Sequence, residues 1–109
     1  MRIWDISTEK LCNQHLLGEH RELHAIWSIL INDKKGYSKH PETLRWKGKL
    51  KALYLRHEQQ VEEMKKRGFN HKSPLDIKYA TGNVTQNEYV NSLEEQSRIL
   101  RKKSCGCVV

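Results

Sequence analysis

The sequence contains no apolar run that approaches a membrane span, and no apolar signal-peptide core follows its first residues. Because a spanning helix needs about 20 apolar residues, we expect a cytoplasmic protein with no membrane partner. Acidic residues are also few, since 13 Asp and Glu stand against 20 Lys and Arg, a net charge of +7 at pH 7. This excess of positive charge predicts a polyanionic partner, for which nucleic acid is the first candidate and an acidic membrane surface the second.

Cysteine is scarce as well, and three residues, an odd number, argue against a disulfide framework. We expect Cys12 to be a buried thiol. Cys105 and Cys107 lie in residues 104–109, which we interpret as a flexible tail, with a metal site as the alternative. The six histidines are scattered without a zinc-type spacing. The sequence therefore predicts no metal site and no cofactor.

No internal repeat, Ser/Gly linker or strand-rich stretch interrupts the 109 residues, which suffice for one domain with a single small core. With 37% hydrophobic residues, most of each helix must face water or a partner. We predict an all-α domain over residues 1–103, with about three helices. An extended N-terminal arm should lie across the first helix, with Ile3 or Trp4 packed inward.

Capping residues give the expected helix bounds. The first helix should begin at a cap formed by Ser7 or Thr8 and run to about Ile31. The second should span Lys49–Arg67, with Gly68 just past its end. A capping-box pattern at 85–88 should open the last helix, which would place Tyr89, Leu93 and Leu100 on one face.

The stretch from residue 14 to residue 23 contains the strongest candidate site. At 100° per residue, one helical stripe contains His15, Gly18, Glu22, Ala25 and Ile29. A neighbouring apolar stripe should face the core and consists of Cys12, Leu16, Leu23, Trp27 and Leu30. A glycine inside a helix costs about 0.5–1 kcal/mol relative to alanine, so Gly18 indicates that a ligand or another backbone comes close. Together with Glu22 and Arg21, that gap suggests a site. The alternatives are a solvated Glu–Arg pair and a glycine that lets two helices pack.

A second candidate surface is basic. Residues 34–51 carry seven Lys or Arg and only one acid, with Tyr37 and Trp46 between them. This pattern predicts a surface that follows DNA phosphates and offers aromatic platforms to bases, with Lys47 and Lys49 among its contacts. The alternative is a solvated loop with one buried tryptophan.

Residues 14–23, Gln-His-Leu-Leu-Gly-Glu-His-Arg-Glu-Leu, resemble the first-helix signature of the pyrimidine-dimer DNA glycosylases of the phage endonuclease V type. Arg-Ile at 2–3, Lys-Arg-Gly-Phe-Asn at 66–70 and a polar helix after about residue 85 match in the same order. The resemblance covers residues 1 to about 103. It implies a glycosylase and abasic-site lyase that acts on damaged double-stranded DNA. We expect the protein to be a monomer.

The resemblance also implies how the chemistry is divided. The N-terminal α-amine, here that of Met1, would attack the sugar and form an imine, and Glu22 would help to open the sugar ring and move protons. An α-amine with a pKa of about 7.7–8.0 is roughly a tenth to a fifth neutral at pH 7, far more than a lysine. Because Arg2 is too large for ordinary removal of the initiator methionine, we expect Met1 itself to provide this amine. Four further residues match family residues at or near the DNA: Arg2, Gln14, His15 and Arg21.

Two departures from the family limit what the resemblance implies. His24 and Ala25 replace a proline and an arginine of the family, and an aromatic, lysine-containing C-terminal segment is missing. Lyase chemistry is therefore better supported than a preference for cyclobutane pyrimidine dimers. The alternative from another class is a noncatalytic basic helical DNA-binding module, for which the same charge of +7 would suffice.

Overall fold

The computed structural model describes residues 2–32, 39–71, 74–103 and 107. Within these residues the chain forms α-helices and short 3₁₀ turns and no strand, which confirms the all-α prediction. The helices are α1 Asn13–Asn32, α2 Pro41–Leu44, α3 Leu50–Lys66 and α4 Leu93–Lys102. The 3₁₀ turns lie at Thr8–Lys10 and Ile77–Tyr79. No helix in the described ranges is long and apolar enough to span a bilayer.

α1 packs against α3, and its apolar residues enter two clusters rather than the single core that we predicted. The first cluster contains Ile3, Leu23, Ile26, Trp27, Trp46, Ala52 and Leu53. The second contains Trp4, Ile6, Leu11, Leu16, Met64 and Leu100. The burial of Leu16, Leu23 and Trp27 confirms the predicted apolar stripe. Ile3 and Trp4 are both buried, so the N-terminal arm packs inward as expected.

The predicted start of the first helix is wrong by about five residues. A 3₁₀ turn occupies Thr8–Lys10, and Leu11 then adopts an extended conformation (φ −80°, ψ 140°). Leu11 is 2% exposed and joins the second cluster, so the chain turns inward there before α1 begins at Asn13. Cys12, in this turn, is half-buried rather than buried.

α3 agrees with the prediction to within one residue at each end, and Gly68 follows it with φ +84°. The Lys49 side chain does not cap its N-terminus. Instead, the N–H groups of Lys51 and Ala52 donate to backbone carbonyls of residues 81 and 83, at 2.8 and 3.1 Å. Gly82 makes this return possible, because a Cβ there would lie 2.2 Å from the carbonyl oxygen of residue 48.

The predicted start of the last helix is also wrong. α4 begins at Leu93, because Ser92 accepts the Glu95 N–H at 3.2 Å and forms the actual cap. Gln86, inside the predicted capping box, instead donates to the Arg45 carbonyl at 2.7 Å. Leu100 is buried as expected, whereas two residues of the predicted apolar face, Tyr89 and Leu93, are 45% and 46% exposed.

Candidate active site

A pocket of about 510 Å³ opens between the N-terminal arm and the first turns of α1. We call it the Glu22 pocket. It is lined by Arg2, Trp4, Gln14, His15, Leu17, Gly18, Glu19, Arg21 and Glu22. Five of these positions are candidate site residues of the sequence analysis: Arg2, Gln14, His15, Arg21 and Glu22. The structure therefore brings the arm and the first-helix motif to one concave surface.

Gly18 lies in the wall of this pocket, and a Cβ built on it would meet no described atom within 4 Å. Among the described residues, no neighbouring helix or backbone occupies the space that the missing side chain leaves. The interpretation of Gly18 as a helix-packing residue is therefore wrong. The space faces the pocket, where a ligand could approach the helix backbone.

Two cationic side chains, Arg2 and Arg21, line the same pocket as Glu22. Arg2 places its guanidinium 4.8 Å from the ring centre of Trp4, a cation–π contact, and Arg21 is exposed on α1 beside Glu22. Glu22 is half-buried, and no described side chain forms an ion pair with it. The pocket thus combines an available carboxylate with two positive groups that suit phosphate oxygens.

Trp4 forms part of the pocket floor, and sequence reasoning gave it no role beyond packing. It is 6% exposed, lies under Arg2 and meets the His15 ring edge-on at a centroid distance of 5.8 Å. Burial, followed by the charge of Lys103, lowers the pKa of His15. His15 is therefore suited to hydrogen bonding rather than to charge pairing near neutral pH.

Glu19, one turn before Glu22, belongs to a different environment. It is 2% exposed and pairs with Arg56 at 2.9 Å. Its carboxylate also accepts the Trp4 backbone N–H at 2.6 Å and a hydrogen bond from the Gln60 amide. Burial raises the pKa of Glu19, and these donors oppose that shift by binding the charged form. Arg56 in turn donates to the carbonyls of Trp4 and Ile6, so this ion pair holds the arm from both its N–H and C=O sides.

A second buried ion pair holds the residue before Trp4. Glu42 and Arg45 pair at 2.6 Å, and both side chains are about 5% exposed or less. Glu42 accepts the Ile3 N–H at 3.0 Å, and Arg45 donates to the Ile3 carbonyl at 2.9 Å. Arg45 also pairs with Asp5 at 3.0 Å. The two ion pairs, Glu19–Arg56 and Glu42–Arg45, together form what we call the arm clamp.

The arm clamp fixes Ile3 and Trp4, and so sets where the chain's first residue can reach. The α-amine belongs to Met1, which lies outside the described residues. Sequence reasoning missed Glu42, Arg45 and Arg56 as positioning residues. The sequence did contain a signal for Glu42, which is the only acid in a strongly basic stretch. A single carboxylate among many cations is expected to form an ion pair with one of them.

In the described part of the basic segment, residues 39–51, one of the two predicted lysine contacts is buried and the other is exposed. Trp46 is 3% exposed, under the Arg45 guanidinium, so the aromatic-platform interpretation is wrong for it and the buried-tryptophan alternative is confirmed. Lys49 is 8% exposed, and its amine contacts Gln86 at 2.8 Å and Glu88 at 3.5 Å. Lys47 is exposed. Neither Lys47 nor Lys49 lines the Glu22 pocket. Tyr37 lies outside the described residues.

A second pocket of similar volume lies on another part of the surface. Four carboxylate residues, Asp5, Glu9, Glu62 and Glu63, are among its lining residues. Such a surface repels a phosphate backbone, so the Glu22 pocket is the better candidate for a DNA site.

Two groups of metal-ligating side chains also form, contrary to the view that the histidines are scattered. One joins Cys12, His15 and Cys107, with the His15 Nδ1 3.1 and 3.4 Å from the two sulfurs. Cys107, placed in the predicted tail, thus packs beside the pocket, whereas residues 104–106 and 108–109 lie outside the described residues. The other group joins His20, His24, His57 and His71. The spacing of His20 and His24, four residues apart on a helix, is the signal that we overlooked.

Comparison with known proteins gives one family. The family model described as pyrimidine dimer DNA glycosylase matches residues 1–77, which contain the Glu22 pocket and both ion pairs of the arm clamp. No curated protein and no solved structure matches the chain.

Proposed function

The chain belongs to the pyrimidine dimer DNA glycosylase family, and on that basis we propose that it both excises damaged bases and cleaves the DNA strand. In this proposal the protein acts as a monomer on damaged double-stranded DNA. The Met1 α-amine attacks C1′ of the sugar, and Glu22 assists. The resulting intermediate is an imine between the protein and the opened sugar.

The observation that carries the proposal is the position of the arm relative to Glu22. The arm clamp holds the Ile3 N–H on Glu42 at 3.0 Å, and Arg2 already lines the pocket that contains Glu22. Two residues of extended chain span at most about 7 Å. That short reach from Ile3 supports the proposal that the α-amine of Met1 acts at this pocket.

The chemistry fits this pair of groups. The neutral amine forms a bond to C1′ while the bond from C1′ to the damaged base breaks. The base leaves with the electron pair of that bond, and the nitrogen passes a proton to the Glu22 carboxylate. A proton delivered by Glu22 to the ring oxygen lets the C1′–O4′ bond break and gives the imine. Loss of a C2′ proton to a base then breaks the C3′–O bond, and the strand is cut. A half-buried carboxylate in a pocket with two arginines suits these proton transfers.

Four residues around the pocket are proposed DNA contacts. Arg2 and Arg21 hold phosphates, and Gln14 and His15 contact the strand at the start of α1. Lys47 adds a phosphate contact outside the pocket. We withdraw Lys49 from the proposed contacts, because its amine is already bound by Gln86.

The test is reductive trapping with borohydride on three duplexes that carry a pyrimidine dimer, an abasic site, or neither. We expect a covalent adduct with the abasic duplex, located by mass spectrometry on the N-terminal peptide. The same protein acetylated at its α-amine should give none, because an amide nitrogen is not nucleophilic. An adduct on a lysine would discard Met1, and no adduct on any duplex would favour the noncatalytic DNA-binding module.

A further inference from the structure

Four imidazole rings converge between α1, α3 and the segment that follows α3. Their ligand nitrogens all lie within 4.8 Å of one another. His20 and His24 come from successive turns of α1, His57 from α3, and His71 from beyond its end. The ring centroids of His20 lie 4.6 to 4.9 Å from those of the other three. We call this group the histidine cluster.

We propose that the histidine cluster binds one divalent transition-metal ion of the zinc type, as a structural site that joins α1 to α3. This inference does not depend on the proposed lyase activity. Imidazole is a preferred ligand of Zn²⁺, and four protein ligands satisfy its tetrahedral coordination. Because no coordination position is then open to water or substrate, the ion would stabilise the fold and not catalyse.

The hydrogen bonds around His20 determine which of its nitrogens faces the cluster. Gln60 directs its amide N–H to the Glu19 carboxylate, so its oxygen faces His20. The Nδ1 of His20 lies 2.9 Å from that oxygen and must carry the proton. The Nε2 of His20 is therefore left with its lone pair, 3.1 Å from the Nε2 of His24. Metal-bound histidines are typically oriented by such a bond from the second nitrogen.

His57 is oriented in the same way. Its Nδ1 lies 3.0 Å from a carboxylate oxygen of Glu58, which can only accept, so Nδ1 carries the proton. In the neutral ring its Nε2 is then an acceptor, and this nitrogen is buried without a hydrogen-bond partner among the described residues. His57 itself is 0% exposed. A buried acceptor with no donor is costly to the folded protein, and a metal ion at this nitrogen would remove that cost.

The contact between His24 and His20 also bears on ligation, because each ligating nitrogen must present a lone pair to the ion. In the metal-free protein His24 donates its Nε2 proton to His20. When the ion binds, that proton moves to the Nδ1 of His24 by exchange with solvent.

The distances between the ligand nitrogens of the cluster are close to those around a bound Zn²⁺ ion. Zn–N distances of about 2.0–2.1 Å place tetrahedral nitrogens about 3.3 Å apart. The Nε2 atoms of His20 and His24 are already 3.1 Å apart. The ligand nitrogens of the cluster all lie within 4.8 Å of one another, so a small inward movement brings them to tetrahedral spacing. His24 and His71 are only half-buried, so their rings can make that movement.

The test uses the full-length protein, stripped with a chelator and titrated separately with Zn²⁺ and Co²⁺. We expect one equivalent to bind, a rise in the melting temperature, and the visible absorption of tetrahedral Co²⁺ without the near-ultraviolet band of cobalt–thiolate bonds. The paired substitution His24→Ala, His71→Ala should weaken binding at least tenfold while circular dichroism keeps the helical signal. The matched control is Cys12→Ser, Cys107→Ser, which removes the other metal-ligating group and should bind Co²⁺ like the parent.

Each contrary result would overturn the proposal. These are no saturable binding by the unsubstituted protein, a thiolate band in its Co²⁺ spectrum, or loss of binding in the cysteine control. The first two results come from the unsubstituted protein, so they decide the question even if the double histidine variant does not fold.

Discussion

Glu19 and Glu22 lie three residues apart on α1, yet Glu19 is 2% exposed and paired with Arg56, whereas Glu22 is half-buried in an open pocket. Both residues line the same pocket, and one helix therefore provides two carboxylates with different roles. Glu19 holds the arm through the Trp4 N–H, and Glu22 remains available to a substrate.

The first prediction separates these two roles. Glu22→Gln should lower the rate of abasic-site cleavage by about 10²–10⁴-fold, the usual contribution of a general acid or base, without changing the urea midpoint. Glu19→Gln should instead lower the free energy of unfolding by about 3–5 kcal/mol, because it leaves Arg56, whose side chain is only 11% exposed, without its anion. Single-turnover cleavage and urea denaturation measure the two effects. Cleavage by Glu22→Gln at the unsubstituted rate would exclude the proposed role of Glu22.

The second prediction concerns the arm clamp. Arg45→Leu removes the buried cation between Glu42 and Asp5, so we expect a loss of about 3–5 kcal/mol in the free energy of unfolding. The Ile3 amide, which donates to Glu42, should also lose protection from hydrogen exchange. Arg101→Leu on the exposed surface of α4 is the control and should change neither measurement. Unchanged protection at Ile3 in Arg45→Leu would mean that the clamp does not hold the arm.

The third prediction concerns salt dependence. Lys47→Ala should reduce the slope of log K against log salt for duplex binding by about 0.9, the value for one lost phosphate contact. Lys49→Ala should leave the slope unchanged and lower stability, because the Lys49 amine binds Gln86 within the protein. Fluorescence anisotropy at several salt concentrations measures both slopes. Equal slopes for Lys47→Ala and the parent would remove Lys47 from the DNA contacts.

The fourth prediction uses the open space at Gly18. Gly18→Ala should raise the free energy of unfolding by about 0.5–1 kcal/mol, since alanine favours the helix interior and its Cβ meets no described atom within 4 Å. Gly18→Leu should fold equally well but fill the pocket, so borohydride trapping on an abasic duplex should fall sharply. Trapping by Gly18→Leu at the parent level would place the substrate elsewhere.

The sequence predicted those features that depend on local pattern. The apolar stripe of α1, the end of α3 at Gly68 and the inward packing of Ile3 follow from periodicity and capping, and all three are observed. The start of α4 does not follow from local pattern, because residues 85–88 and residues 92–95 both have the capping-box pattern. Only the tertiary contacts of Gln86 decide between them.

The candidate site shows the same division. Gln14, His15, Arg21 and Glu22 lie within three turns of one helix, so their shared surface could be predicted. The ion pair between Glu19 and Arg56 joins residues 37 positions apart, and the contact between His20 and His57 joins a similar span. Such contacts depend on how α1 and α3 pack, which a single sequence does not specify.

The position of Gln60 has a consequence for how this sequence can diverge. Its amide group bonds Glu19 on one side and His20 on the other, so a glutamate at 60 would repel Glu19, and an asparagine would be too short to reach both. Residue 60 should therefore vary only together with residue 20, whereas residues 19 and 56 should vary only as a pair. Among homologous chains, those that lack His20 should be the ones in which Gln60 is replaced, while the Glu19–Arg56 pair is retained.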